Sequence, residues 1–529
     1  MNPLLLVDFY KPHHNPMYPD GMTKLYSNLT PRKSRMKGVD KVVVFAVQHL
    51  VKTYLIDMFN KEFFNIPWRQ IRDEYYEEIK IDLSHIERLH ELGYLPIEIK
   101  ALPEGSRCPI GVPMLTITNT HPEFAWLVNY LETLISCTLW QPITSATIAY
   151  EYKKLLTKYA IETTGNADGV QWQGHDFSMR GMSSVESSIL SGMGHLLSFT
   201  GTDVIPAIYQ LKKSYNATGL IGASVPASEH SVECMGGEGN EKDSILKAFR
   251  LYKTGIVSKV MDTWDITKVA KPEADGVLFQ IKNEIMSRDG KLVIRPDSCP
   301  NKRTPADIIC GHDDELTERE KQAYYPEFYK KGLVECLWEI FGGTINDKGY
   351  KVLDSHIGAI YGDSITLVLA DEICARLKAK GFASPNIVLG IGSMTYTGGE
   401  TSPGNQYWIT RDLFGFAVKA TYGEVLEPVS VVASADGAVH NQMVSVGREI
   451  FKDPITDDGT KKSAKGLLRV NEVLTADSLG KLHHSTYRLK DQCTKEEEQG
   501  GALRTVFKDS KMIIEETLDT IRQRLAKYF

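Results

Sequence analysis

Over the first 150 positions, short apolar runs suited to strands, Val42–Val47 and Pro96–Ala101, are mixed with stretches of helical character. Glu123–Ser136, rich in Trp, Leu, Ile and Tyr, reads as a helix. Ile148–Glu162 reads as another, because Tyr150, Leu155, Leu156 and Tyr159 recur at roughly helical spacing. From position 175 the rhythm changes. Ser183-Ser184-Val185-Glu186 has the form of a capping box, and Val185, Ile189, Met193 and Leu197 follow at four-residue intervals. Short apolar runs then predict strands at Leu220–Ala223, Ile256–Met261, Leu292–Ile294, Ile357–Tyr361 and Ile387–Leu389. Between them Glu241–Tyr252, Gly276–Arg288 and Ile365–Lys380 predict helices, the last stopped by Gly381 as a C′ residue.

Strands alternating with helices imply an α/β fold with a parallel sheet, open or closed into a barrel, whose chemistry sits at the C-terminal strand ends. After position 395 the pattern gives way to Gly-, Ser- and Asp-rich connections with β-like runs and a Lys/Asp-rich segment, Lys452–Lys465. Three parts are therefore expected: 1–160, 161–395 carrying most of the site, and 396–529 packing with the N-terminal part. A net charge of −6 over 529 residues argues against a dedicated nucleic-acid surface. No apolar run reaches bilayer length, and Leu4–Val7 is broken by Asp8 without a basic lead, so neither a membrane span nor a signal peptide is expected. The eight cysteines (108, 137, 234, 299, 310, 336, 374, 493) form no C-x-x-C pair, which suits reduced thiols in a cytoplasmic protein.

Candidate chemistry gathers at the strand ends. Ser224-Val225-Pro226-Ala227-Ser228-Glu229-His230-Ser231 places an imidazole, able to act as nucleophile, base or acid near neutral pH, on a loop beside a carboxylate and hydroxyls. His175-Asp176-Phe177-Ser178-Met179-Arg180, Gly201-Thr202-Asp203, Asp262, Arg295-Pro296-Asp297-Ser298, Gly362-Asp363-Ser364 and Gly390-Ile391-Gly392-Ser393 close or follow other elements. Small residues before a helix let N–H groups approach an anion, and Arg gives bidentate contacts to phosphate. Asp can hold Mg²⁺, ribose hydroxyls or an amide N–H. Singly, each has a plainer reading: Gly362-Asp363-Ser364 as an Asx turn, Arg295 with Asp297 as a structural ion pair, Asp203 and Asp262 as caps, Phe177 as core, and His230 as a structural hydrogen-bond partner. Their coincidence on successive strand ends points to a phosphate-handling site.

At these residues the chain resembles the nicotinamide phosphoribosyltransferases, type II phosphoribosyltransferases of NAD salvage. The resemblance runs in order through Asp8–Lys11, Leu95–Gly105, His175–Ser184, Gly201–Asp203, Ser224–Ser231, Arg295–Ser298, Thr410–Asp412 and Phe451–Pro454. It implies an irregular α/β barrel of the type II phosphoribosyltransferase kind with a β-rich domain formed from both chain ends. It also implies a homodimer with shared active sites. The reaction it implies joins nicotinamide to phosphoribosyl pyrophosphate, giving nicotinamide mononucleotide and pyrophosphate, with Mg²⁺, and with ATP as co-substrate coupled through a phosphohistidine.

By resemblance His230 is the phosphorylated histidine, with Glu229 beside it and Asp262 as the acid that orients it. Phe177 and Tyr10 match the pair that sandwiches the nicotinamide ring, Tyr10 from the other subunit. Asp203 matches the acid that accepts from the carboxamide and repels nicotinate. Arg295 matches the arginine near amide and ribose, and Asp297 the ribose-side acid. Arg180, Gly362, Asp363 and Gly392, with Ser393, match phosphate and ribose contacts. Arg32, Arg411, Lys419, Lys452 and Lys461 match basic residues that hold pyrophosphate or nucleotide phosphates, several from the partner; by charge pattern alone Lys452 and Lys461 read as solvated. The resemblance leaves the Mg²⁺ ligands unassigned.

The chain departs from the family pattern at Cys299, where a Gly is usual, and at Ser393-Met394-Thr395, where the run is usually glycine-rich. The spacings Gly392–Arg411 and Lys419–Lys452 are long, which places extra material in Gly398–Gln406 and Glu424–Val446. Three other readings stand beside the favoured one: a sister enzyme using nicotinate, against which Asp203 argues; a catalytically silent binding protein on the same scaffold; and a sugar-processing barrel enzyme, which needs a carboxylate pair across the site.

Overall fold

The computed structural model describes residues 1–362, 365–400, 406–432, 439–456, 461–476 and 482–529; Asp363 lies outside the described residues. The chain divides into two units, one of residues 1–147, 210–217 and 410–528, the other of 148–209, 218–409 and 529.

The second unit is built on six parallel strands: β1 Gly174–Asp176, β2 Gly201–Thr202, β3 Gly255–Val260, β4 Gly290–Arg295, β5 Ile357–Tyr361 and β6 Ile387–Ile391. Their spatial order is β2-β1-β6-β5-β4-β3. Four helices matter for the site: α1 Val185–His195, α2 His230–Gly236, α3 Glu241–Leu251 and α4 Leu367–Ala379. Side chains alternate along the strands. Leu292, Ile294, Ala359, Ile387 and Leu389 are almost wholly buried, whereas Lys291, Val293, Arg295, Ile360 and Val388 line an internal cavity of 870 Å³. A parallel sheet that must both pack and enclose a polar lumen needs this two-row pattern.

The segment expected as a strand at Leu220–Ala223 is not one; only Ala223 pairs, with Gly201 of β2, and four residues on Ala227 pairs with Ser258 of β3. The Ala223 N–H donates to Thr200 O (2.9 Å), the Thr202 N–H to Ala223 O (3.0 Å), the Ser258 N–H to Pro226 O (2.9 Å) and the Ser228 N–H to Ser258 O (3.1 Å). The segment thus spans the two sheet edges and closes the barrel as an irregular seventh stave. Pro226, with no N–H, prevents a regular ladder there.

Other expectations are corrected in detail. The N-cap of α1 is Ser184, whose hydroxyl accepts from the Ser187 N–H at 3.0 Å, one residue later than the capping box placed it. The Gly276–Arg288 helix is two short ones, Val277–Gln280 and Lys282–Met286, broken at Ile281 (φ −112°, ψ 21°). Glu123–Ser136 opens in the 3₁₀ turn Pro122–Phe124, passes through the short helix Leu127–Tyr130 and runs into a 33-residue helix, Glu132–Thr164, which also absorbs Ile148–Glu162. α4 ends as expected, with Gly381 at φ +76°.

The first unit holds a seven-stranded sheet in the order Val439–Glu449, Ala417–Val432, Met22–Thr30, Leu115–Asn119, Ile97–Ala101, Arg504–Lys508, Lys511–Met512, antiparallel throughout. Strands from both ends of the chain therefore share one sheet, and Tyr26, Tyr422, Leu467, Leu468 and Cys493 form a core cluster within this unit. Where extra length is expected, Glu424–Val446 falls on the paired strands Ala417–Val432 and Val439–Glu449, and Gly398–Gln406 on the pair Gly398–Glu400 with Gln406–Trp408; residues 401–405 and 433–438 lie outside the described residues. Among the described residues no helix is long and apolar enough to cross a membrane, and all eight cysteines are free.

One glycine sets the spacing of the strand ends. A Cβ on Gly390 in β6 would lie 2.4 Å from Tyr361 O and 2.9 Å from Gly362 Cα. Gly390→Ala is expected to cost about 2 kcal/mol by overpacking, read as a lowered urea midpoint at unchanged slope.

Candidate active site

His230 is not on a loop: it is the first residue of α2, with Glu229 as N-cap. Its Nε2 lies 2.8 Å from Asp297 Oδ1 and its Nδ1 3.0 Å from Thr263 Oγ1. A carboxylate can only accept, so Nε2 carries a proton, and in the neutral ring Nδ1 is then the acceptor of the Thr263 hydroxyl. The acid that orients the imidazole is therefore Asp297. Asp262 Oδ1 stands 3.8 Å away. Asp262 instead organises the turn after β4, its Oδ2 accepting from the Asp297 N–H (2.8 Å), the Ser298 N–H (2.8 Å) and the Ser298 hydroxyl. Glu229 accepts from the Ser231 hydroxyl and not from His230.

Arg295, at the end of β4, gives Nη1 to Asp297 Oδ2 (3.2 Å) and Nη2 to Ser228 O (2.9 Å), which fastens the closing stave to the sheet. Gly362 leaves room for it, since a Cβ there would lie 3.1 Å from Arg295 Nη1 and 3.1 Å from Asp297 Cβ. Asp262 Oδ1 is buried and has no hydrogen-bond partner. Ligand atoms of His230, Asp262 and Asp297 all lie within 4.8 Å of one another, a set that fits a divalent cation.

Asp203 follows β2 and accepts from His175 Nε2 at 2.9 Å. Burial pulls its pKa up, but hydrogen bonds from His175 and Ser224 and the nearby charges of His175 and Arg295 outweigh it and hold the carboxyl below its usual value. His175 and Phe177 alternate with Asp176 and touch, with ring centroids 4.5 Å apart. Phe177, Arg180, Asp203, Glu229 and Arg295 all line the 870 Å³ cavity. Gly392 caps the short helix Ser393–Thr397, and Ser393 packs so closely on Gly181 that a Cβ there would fall 2.1 Å from Ser393 Oγ.

In the first unit, Arg32 donates Nε to Gly415 O at 3.1 Å. Lys419 is partly desolvated beside Arg32, Lys452 and Arg411; burial first and then these like charges lower its pKa against the pull of Glu132. Four of the five expected phosphate-binding cations therefore form one basic cluster, while Lys461 is exposed. Tyr10 is 58% exposed, its ring 5.1 Å from His14.

Sequence reasoning missed Thr263 and His175. His175 was within reach: residues two apart on a strand share a face, which places it beside Phe177. Thr263 carried no signal, because its role depends on where α2 starts.

A parallel barrel whose strand ends gather Phe177, Asp203, Arg295, His230 and two aspartates defines a type II phosphoribosyltransferase fold. The nicotinate phosphoribosyltransferase (NAPRTase) family model matches residues 172–423. Among curated relatives, a nicotinamide phosphoribosyltransferase of Acinetobacter baylyi is 45% identical, over 100% of this chain and 97% of its own length. One of Mycoplasma pneumoniae is 32% identical, over 88% of this chain and 94% of its own. The crystal structure of nicotinate-nucleotide pyrophosphorylase from Pyrococcus furiosus has the same fold, with a TM-score of 0.51 at 13% identity, covering 99% of this chain and 95% of that one. The chain belongs to the nicotinamide phosphoribosyltransferases.

Proposed function

We propose that this protein transfers the phosphoribosyl group of phosphoribosyl pyrophosphate to nicotinamide, releasing nicotinamide mononucleotide and pyrophosphate. The observation that carries the choice of base is Asp203, a carboxylate kept ionised on the wall of the cavity that Phe177 also lines. An anionic acceptor suits the carboxamide N–H₂ and repels the carboxylate of nicotinate. Phe177 supplies one stacking face, and Tyr10 of a second copy in a homodimer supplies the other.

In the reaction the pyridine nitrogen attacks the anomeric carbon as the bond to pyrophosphate breaks, and the leaving group takes the electron pair. No proton moves, so catalysis rests on alignment and on charge placed against the departing pyrophosphate. Asp262 and Asp297 would hold Mg²⁺, whose chemistry is to neutralise the pyrophosphate oxygens; the partnerless Asp262 Oδ1 supports that assignment. Arg295 and Arg180 face the sugar phosphate. Arg32, Arg411, Lys419 and Lys452 supply a second anion-binding cluster, to which the resemblance adds Lys461.

ATP coupling passes through His230. The Thr263 hydroxyl turns away, the Nδ1 lone pair attacks the γ-phosphorus, the bond to ADP breaks with its electron pair leaving on ADP, and the proton stays on Nε2, where Asp297 stabilises the positive charge left on the ring. The test is mononucleotide formation from phosphoribosyl pyrophosphate and Mg²⁺ with each base, with and without ATP. A preference for nicotinamide that ATP enhances supports the reading, whereas a preference for nicotinate moves the protein to the sister activity. His230→Ala is expected to abolish the ATP enhancement while keeping some basal transfer. Equal stimulation in the variant refutes the phosphohistidine.

A further inference from the structure

The helix that carries His230 is built the wrong way round for ordinary packing. Its apolar residues Val232 and Met235 are 53% and 88% exposed, and its one buried residue is a carboxylate, Glu233. That carboxylate meets Lys259 of β3, with Nζ 2.6 Å from Oε1, and both side chains are about as hidden as core residues, 4% and 5% exposed. Ser244 of α3 bridges them, its hydroxyl donating to Glu233 Oε2 at 2.7 Å and accepting from Lys259 Nζ at 2.8 Å. Three elements are thereby joined by one closed polar triad.

We propose that the Glu233–Ser244–Lys259 triad is the positioning device for His230, setting the start of α2 so that the imidazole sits between Thr263 and Asp297. The geometry connects the two ends directly. Glu233 lies one helical turn after His230, on the same face. Lys259 lies on the strand that leads straight into Asp262 and Thr263. A seven-residue helix is too short to hold itself, and this one has no buried apolar side chain to hold it. A buried ion pair adds little net stability compared with apolar packing, but with a bridging hydroxyl it has one geometry where an apolar contact has many. Position is what this site needs, since the imidazole must keep both nitrogens on defined partners. The proposal deepens the reading of His230 as the phosphorylated residue and, for its functional part, rests on it.

The test uses the full chain with ¹³C-labelled histidine. The His230 Cε1–H resonance is assigned by its loss in His230→Ala. The double replacement Glu233→Leu with Lys259→Met removes both charges together, so no buried charge is left alone and the fold is kept. Ser244→Ala removes only the bridge and serves as a milder second variant. The triad predicts one sharp His230 resonance in the native protein, and a broadened or split one in both variants at nearly unchanged thermal midpoint. It also predicts that ATP-stimulated transfer falls about tenfold in the double variant, roughly the loss that follows misplacement of a reacting group by a fraction of an ångström. Transfer without ATP falls far less. An unaltered resonance in a folded variant overturns the proposal, as does equal loss of basal and stimulated rates. If the native protein shows no ATP stimulation, the resonance alone decides the positioning, and it is the phosphohistidine reading that fails.

Discussion

Replacing Asp297 by asparagine is expected to lower kcat/KM about 10³-fold, the range seen when a preorganised charge facing a reacting group is removed. One carboxylate serves three neighbours. It holds His230 Nε2 at 2.8 Å, receives Arg295 Nη1 at 3.2 Å, and lies with Asp262 in the cluster fitted to a cation. The asparagine keeps the shape but can offer only one oxygen, turns an N–H₂ toward one of two donors, and brings no charge to the proposed cation. The backbone N–H that fastens the turn to Asp262 is untouched, so folding is expected to persist. The steady-state rate, with and without ATP, checks this. A loss below tenfold in a folded variant would refute the assignment of both the proposed cation and the imidazole to Asp297.

The second large effect concerns the base. Asp203→Asn is expected to shift the ratio of kcat/KM for nicotinamide over nicotinate by about 100-fold toward nicotinate, because a like-charge repulsion of a few kcal/mol disappears. The pH dependence has a definite sign. The carboxyl titrates below its usual value, chiefly through His175 and Ser224 working against burial. It is therefore ionised at and above the ordinary carboxylate range, and the native preference stays flat from neutrality down to about pH 5. The preference, and the stability that the ionised form contributes, are lost only as pH falls through the depressed folded value. A preference that eroded between pH 7 and 5 would place its origin in another group.

The strand pattern was legible because parallel strands carry short apolar runs between helices, and β3 to β6 fall on those runs. The closing stave was not. Leu220–Ala223 is apolar enough to read as a strand, yet hydrogen bonding there is decided by which edges it reaches and by Pro226. Tertiary contact overrode local propensity. Among the site residues, Asp203 and Arg295 read from charge alone as a cap and a structural ion pair; the expectation of a role came from the resemblance, and the structure places both on the cavity wall. The choice between Asp262 and Asp297 as partner of His230 was not visible, since the two differ only in where two turns place their carboxylates. The triad of Glu233, Ser244 and Lys259 had no signature: a Glu in a short helix, a Ser in another and a Lys in a strand each read as surface until their burial is known.

The stave from Ala223 to Ala227 has one further consequence. The segment that shuts the barrel is continuous with the residues that begin the His230 helix, so the catalytic centre is completed by the same event that completes the ring. A chain with six strands paired and the stave still loose would keep Phe177 at the end of β1, yet would leave Asp203 without Ser224, Arg295 without Ser228 and the imidazole without its aspartate. On the proposed reading, activity thereby reports closure: a molecule with the stave loose has neither the base-selecting carboxylate nor the imidazole in its working geometry.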